Sequence, residues 1–306
     1  MKSKKLSPYI FIFSLFLVLS VSGCTSQRVI DSDAEIILYP QKTYIPESFD
    51  WQEVQPGIDR FDFENPDFPI IYHAVRIDLT TPGLELVCVP TASAADTSSG
   101  GVGAAGTGSA TKTGRSRRVA TSKFAAEQNC VVARNATQFD FSSIVGIHKV
   151  NGTVLAEPVE KYAAIAFRRE QNGEQGYSAV IFSEQKAPLF QEFDYAFGGF
   201  FVVLENSEVC YDFIRRHTSR TGAGLSADGR VLYLLVAEGE RPLKSEGLSY
   251  PQCGEIFKAM GCTDALEFDG GSSSELCING KSILSYKPYV TQASSFGFKF
   301  ASSSQQ

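Results

Sequence analysis

Ser249-Tyr250-Pro251-Gln252-Cys253 opens, and Ala265-Leu266-Glu267-Phe268-Asp269-Gly270-Gly271-Ser272-Ser273-Ser274 closes, the stretch whose reading decides the fold. Cys253, Ile256, Phe257 and Met260 recur at i, i+3, i+4 and i+7 and so share one helical face. Ser249 and Gln252 have the spacing of a capping box, and Gly261 supplies a stop. The helix feeds a short apolar strand, Ala265 to Phe268. That strand delivers Asp269 into a turn through two glycines and three hydroxyls. Gly270 and Gly271 can take positive φ and let a ligand approach the main chain. Successive N–H groups in such a turn form a nest for anions.

Outward from this unit, strands outnumber helices. Tyr72 to Thr80 alternates Val75, Ile77 and Leu79 with polar residues, the period of a half-buried strand. Thr81-Pro82-Gly83 turns the chain into Leu84 to Val89, and the two strands are expected to form a hairpin. Ser122 to Gln128 reads as a helix leading into Cys130 to Ala133. Further short strands are expected near residues 144–150, 163–168, 177–182, 200–204 and 231–236. The expected class is α+β, a mixed β-sheet core with flanking helices, strand-rich, in a single catalytic-type domain over residues 68–306. Residues 91–113 are almost entirely Gly, Ala, Ser and Thr and read as a mobile loop. Gly101-Val102-Gly103-Ala104-Ala105-Gly106 there has the dinucleotide fingerprint but neither the strand before it nor the helix after it. No cofactor is expected.

The N-terminus carries an address. Lys2, Lys4 and Lys5 precede an apolar run from Tyr9 to Leu19 that is too short for a comfortable membrane span. Val21-Ser22-Gly23-Cys24 then resembles the lipobox of bacterial lipoproteins. Residues 1–23 are therefore expected to be a signal peptide. Cys24 is the expected lipidation site, and residues 24–67 form a lipid-anchored linker with an aromatic segment that packs on the main domain. This places the chain in the bacterial cell envelope, periplasmic or at the outer membrane and cell surface, with Thr25 leaning toward the outer membrane.

A net charge of −6 over 306 residues argues against a nucleic-acid scaffold. Besides Cys24 there are six cysteines, Cys88, Cys130, Cys210, Cys253, Cys262 and Cys277, enough for up to three disulfides in an oxidising compartment. None has zinc-site spacing and the three histidines are scattered, so structural cysteines, bridged or buried, and no metal are expected.

Three segments carry the chemistry. They are Arg134-Asn135-Ala136-Thr137-Gln138-Phe139-Asp140, Arg220-Thr221-Gly222-Ala223-Gly224 and Asp269-Gly270-Gly271-Ser272-Ser273. In this order, with Gly198-Gly199 and Asp228-Gly229 between them, they resemble the phosphodiester glycosidase family over roughly residues 71–300. The resemblance implies hydrolysis of a sugar-1-phosphodiester. Asp269 would be nucleophile or base, and Glu267 or Asp140 the partner carboxylate. Arg134 and Arg220 would hold the phosphate, and the Gly270-Gly271-Ser272 backbone would donate N–H groups. Asn135 and Thr221 would orient sugar hydroxyls. The implied partners are a carbohydrate or sugar-phosphate substrate and the membrane, through the lipid; no protein partner is implied.

The chain departs from the family pattern in three places. Glu267 stands where the family commonly has Asn, Ser272 replaces a third glycine, and Thr137-Gln138 replace Gly-Phe. Glu267 and Asp269 fall on one strand face by the period of two, so the two carboxylates are expected to crowd one pocket and split their pKa values. Convergence of both carboxylates and both arginines would favour an enzyme; separate environments would favour a glycan-binding lipoprotein without turnover. A serine hydrolase built on Ser272 to Ser274 is the weakest reading, since the nucleophile elbow is absent.

Overall fold

The computed structural model describes residues 44–65, 67–91, 117–141, 143–170, 175–212 and 216–301. The expected signal peptide, the expected lipidation site Cys24 and nearly all of the 91–113 tract lie outside the described residues. Among the described residues twenty strands, numbered in chain order, form three sheets and a small hairpin. The largest sheet runs β1 (Gln52–Gln55), β2 (Ile58–Asn65), β3 (Ile70–Asp78), β16 (Val231–Ala237), β15 (Arg220–Leu225), β17 (Asp264–Glu267), β13 (Val202–Glu205), β14 (Glu208–Val209). A second runs β11 (Tyr177–Phe182), β10 (Ala164–Arg169), β12 (Tyr195–Gly198), β8 (His148–Val150), β9 (Thr153–Ala156). The third runs β19 (Lys281–Ser282), β18 (Leu276–Ile278), β5 (Val132–Asn135), β20 (Ser295–Phe300), β4 (Leu84–Val89), while β6 (Phe139–Asp140) and β7 (Ser143–Ile144) pair alone. Among the described residues two α-helices accompany them, α1 (Thr121–Glu127) and α2 (Tyr250–Ala259).

The fold is mainly β, with helices a minor part. The sheets are antiparallel throughout the described pairings rather than mixed. The helix–strand unit is the physical reason. Helix α2 connects β16 to β17, which run the same way, but β15 lies between them and is antiparallel to both. The crossover thus creates no parallel pair. The expected β3–β4 hairpin is also corrected. β3 pairs with β2 and β16, whereas β4 crosses to the third sheet and pairs with β20.

Alternation along β16 explains the layering. Leu232, Leu234 and Val236 enter a core shared with Ile165, Phe167 and Phe197 of the second sheet and Val132, Phe296 and Phe298 of the third. Tyr233, Leu235 and Ala237 point the other way, into a layer formed with Ile256 and Phe257 of α2 and its C-cap Met260. A strand buried on both faces reads as a continuous apolar run, which β16 does. Helix α2 begins as its sequence requires: Ser249 Oγ accepts from the Gln252 N–H, and Gln252 Oε1 accepts from the Ser249 N–H at 2.8 Å. Trp51 packs against Phe61 and Tyr233, so the aromatic segment before β3 covers this second layer. The six cysteines are free thiols, five of them buried.

Candidate active site

Antiparallel order brings the start of β15 and the ends of β16 and β17 to one edge of the large sheet. The end of β5 arrives there from the third sheet. The Asn135 side chain ties the two together. Its Nδ2 donates to the Asp269 carbonyl at 2.6 Å, and its Oδ1 accepts from the Glu275 N–H at 3.0 Å. The Asp269 N–H donates to the Ala136 carbonyl at 3.3 Å. Below it, the Phe268 N–H donates to the Thr221 carbonyl at 2.7 Å. Asp269 is thus fixed by main-chain bonds to two motif segments that lie far away in sequence.

The glycine turn follows. Gly271 has φ +57, the left-handed region that favours glycine, and its N–H donates to the Ser219 carbonyl at 2.9 Å. Gly271–Ser273 forms a short 3-10 turn, with the Ser273 N–H bonded to the Gly270 carbonyl. The main-chain N–H groups of Gly270 and Ser272 lie on this same turn, next to a half-buried carboxylate. Burial pushes Asp269 up to about 6, against the Ser273 hydrogen bond, which pulls the other way.

Glu267 lies in a different environment. It is buried, facing Cys253 and Arg220 on the α2 side of the sheet. The Cys253 thiol and the Thr221 backbone approach its carboxylate, yet neither oxygen has a hydrogen bond of ordinary geometry. Burial raises its pKa, opposed mainly by the Arg220 charge and then by the Cys253 thiol and Arg134. Neither carboxylate is a cause of the other's shift, so the expected crowding is corrected. The strand ends at Glu267, and the period of two does not carry into the turn that holds Asp269.

Several expected ligands are committed elsewhere. Arg134 is fully buried, with its guanidinium 4.3 Å from the Phe268 ring centroid. Its Nε donates to the Asn135 carbonyl at 2.8 Å and its Nη1 to the Gly222 carbonyl at 2.6 Å. Burial lowers its pKa to about 9, partly offset by Glu267. A phosphate cannot reach it, so the expectation of direct phosphate contact is corrected for Arg134. Thr221 is likewise sealed, its hydroxyl donating to Ser274 Oγ at 2.9 Å, and Asn135 is sealed too; neither presents a group to a sugar. Arg220 is nearly buried over the Tyr250 ring at 3.8 Å, with Nε bound to the Leu248 carbonyl and Nη2 to the Arg216 carbonyl. Asp140 is exposed on the β6–β7 hairpin and bonds to neither Glu267 nor Asp269.

Ser219, Glu240 and Tyr286 join the site unannounced. Glu240 accepts from both the N–H and the hydroxyl of Ser219, at 3.1 and 2.7 Å, and the Tyr286 hydroxyl approaches the Ser219 side chain. Ser219 had one signal, its place just before the Arg220-Thr221 motif. The others come from loops without a pattern of their own. Among the described residues, no three of His, Cys, Asp or Glu gather to hold a metal ion.

A family model described as phosphodiester glycosidase matches residues 128–298. No curated protein sequence matches. Among solved structures, a hypothetical protein from Synechocystis is similar with a TM-score of 0.60 at 13% identity, covering 84% of this chain and 64% of that one. The chain thus spans less than two thirds of that protein's length. The catalytic domain of zebrafish N-acetylglucosamine-1-phosphodiester alpha-N-acetylglucosaminidase, auto-inhibited by its pro-peptide, has a TM-score of 0.57 at 14% identity, over 80% of this chain and 84% of that one. An exported protein from Burkholderia pseudomallei K96243 has a TM-score of 0.52 at 13% identity, over 75% and 74%. Identities this low speak for the fold alone.

Proposed function

This chain belongs to the phosphodiester glycosidase family, and from that premise we propose that it hydrolyses a sugar-1-phosphodiester in the bacterial envelope, held there by a lipid on Cys24. The observation that carries the reading is Asp269, a half-buried carboxylate poised near 6 at the head of the Gly270-Gly271 turn. Asp269 acts as nucleophile or as base toward water at the anomeric carbon. The C1–O bond breaks and its electron pair leaves on a phosphate monoester. The N–H groups of Gly270 and Ser272 receive the negative charge. Arg220 adds a positive field from behind Glu267 rather than a direct contact.

One carboxylate suffices for this chemistry. A phosphate leaving group is weakly basic, so protonating it contributes less than in ordinary glycoside hydrolysis. The separate settings of Glu267 and Asp269 favour a second reading, a glycan-binding lipoprotein of the same fold without turnover. A panel of sugar-1-phosphodiesters decides between them, with release of phosphate monoester as the signal. Wild type is expected to turn one over, and Asp269→Asn to lose at least about a hundredfold in kcat. Binding without release in the wild type would give the second reading; undiminished turnover in the variant would remove Asp269 from the mechanism.

A further inference from the structure

His73 is pinned between two carboxylates. Its Nδ1 lies 2.5 Å from Asp62 Oδ1, its register partner on β2, and its Nε2 lies 3.1 Å from Glu238 Oε1, one residue past the end of β16. With an acceptor at each nitrogen, both must carry protons, so the ring is an imidazolium. Arg60 neutralises Asp62 from the same strand at 2.7 Å. Glu238, whose side chain is fully buried, also accepts from the Ser285 N–H at 2.6 Å, from Ser285 Oγ at 2.5 Å and from Arg241 Nη1 at 2.9 Å. Buried charge clusters seldom add net stability; their best-attested use is to fix one geometry.

The cluster does not stop at Glu238. Arg241 also donates to Ser285 Oγ, and its guanidinium lies 5.1 Å from the Tyr286 ring centroid. The Tyr286 hydroxyl approaches the side chain of Ser219, whose carbonyl accepts the Gly271 N–H. Glu240, two residues beyond Glu238, holds Ser219 from the other side. We infer that the Asp62–His73–Glu238 cluster is a positioning device: through Arg241, Tyr286 and Ser219 it fixes the Gly270–Gly271 turn and so aims Asp269. None of these groups touches the reacting atoms. They act through the turn.

Two variants test this in the full chain. Tyr286→Phe removes one hydroxyl and keeps the ring under Arg241; Glu238→Gln removes the buried charge at constant size. The primary readout is amide hydrogen exchange. Exchange over residues 269–274 is expected to accelerate about tenfold or more in both variants, while β10 in the remote sheet keeps its wild-type rate. The kinetic arm rests on the glycosidase reading. There, kcat on the phosphodiester should fall about tenfold with KM within about twofold, the split expected when geometry and not binding is lost. Wild-type exchange over 269–274 in Tyr286→Phe overturns the inference, as does acceleration shared equally by β10. If the wild type turns over no phosphodiester, the glycosidase reading fails, and the exchange result still decides the inference.

Discussion

At Asp269, burial and ionisation oppose each other, and the opposition is measurable. Its folded pKa of about 6 lies above the ordinary 3.8, so the folded state binds the proton more tightly than the unfolded chain does. Ionisation therefore destabilises the fold as pH rises from about 4 to about 6, and the cost is fully present above that window. Asp269→Asn removes it. Chemical denaturation should show the variant more stable by about 1–3 kcal/mol near pH 7.5, with the difference vanishing near pH 4. A variant less stable at both pH values would show that the carboxylate is not desolvated as argued. The same ionisation sets the activity profile. As base or nucleophile Asp269 must be charged, so kcat/KM should fall tenfold per pH unit below about 6, and a profile flat down to pH 4.5 would assign the chemistry elsewhere.

Arg134 makes the opposite case, a charged residue whose work is structural. It bridges Gly222 of the large sheet and Asn135 of the third, and it balances the buried Glu267. Arg134→Met leaves that carboxylate with one cation fewer and removes the guanidinium hydrogen bonds to the Asn135 and Gly222 carbonyls. A loss of about 3–5 kcal/mol in urea unfolding is expected. Were Arg134 a phosphate ligand, the variant would instead keep its stability and show a raised KM.

Between elements, α2 rests directly on β15, because two glycines there leave room. A Cβ at Gly222 would stand 2.8 Å from Phe257 Cε2, and one at Gly224 would stand 2.7 Å from Cys262 Sγ. Gly222→Ala should therefore cost about 1–3 kcal/mol through overpacking. Because Gly222 is the register partner of Glu267, it should also displace the strand that delivers Asp269. Thermal unfolding together with kcat tests both; a fully active variant with unchanged Tm would show that Phe257 yields freely. Elements of this kind were legible in the sequence wherever the signal was local. The capping box of α2 and the stop at Gly261 formed as read, whereas β3, read as half-buried over Tyr72 to Thr80, spans Ile70–Asp78 and is buried on both faces for most of its length. Pairing was not legible: β3 and β4 are separated by a turn yet enter different sheets, each choosing a partner more than a hundred residues away. The site divides the same way. Asp269 and its glycine turn could be read because strand, carboxylate and turn are contiguous. The burial of Arg134 could not, since it arises from Phe268 and Phe296, which stack on the guanidinium only after two sheets meet.

For the whole molecule, the family match begins at residue 128, but the architecture that holds the site begins earlier. β3 supplies the neighbour of β16, which abuts the site strand β15, and β4 supplies the neighbour of β20, which abuts β5. Without residues 44–91, two long strand edges would be left unpaired, at β16 and at β20. The shared core would lose Ile58, Val75, Ile77, Leu79, Leu84, Leu86 and Cys88. At roughly 1.5–3 kcal/mol for each large apolar side chain, the loss is about 10–20 kcal/mol, as large as the typical stability of a whole domain. His73 and Asp62 would go too, and with them the cluster that ends on Ser219. A chain starting at residue 117 is therefore expected to aggregate or to remain without fixed tertiary structure, as near-ultraviolet circular dichroism and a thermal scan would report. A cooperative transition in that fragment would mean that the matched region folds alone, and that β1 to β4 dock on a site already made.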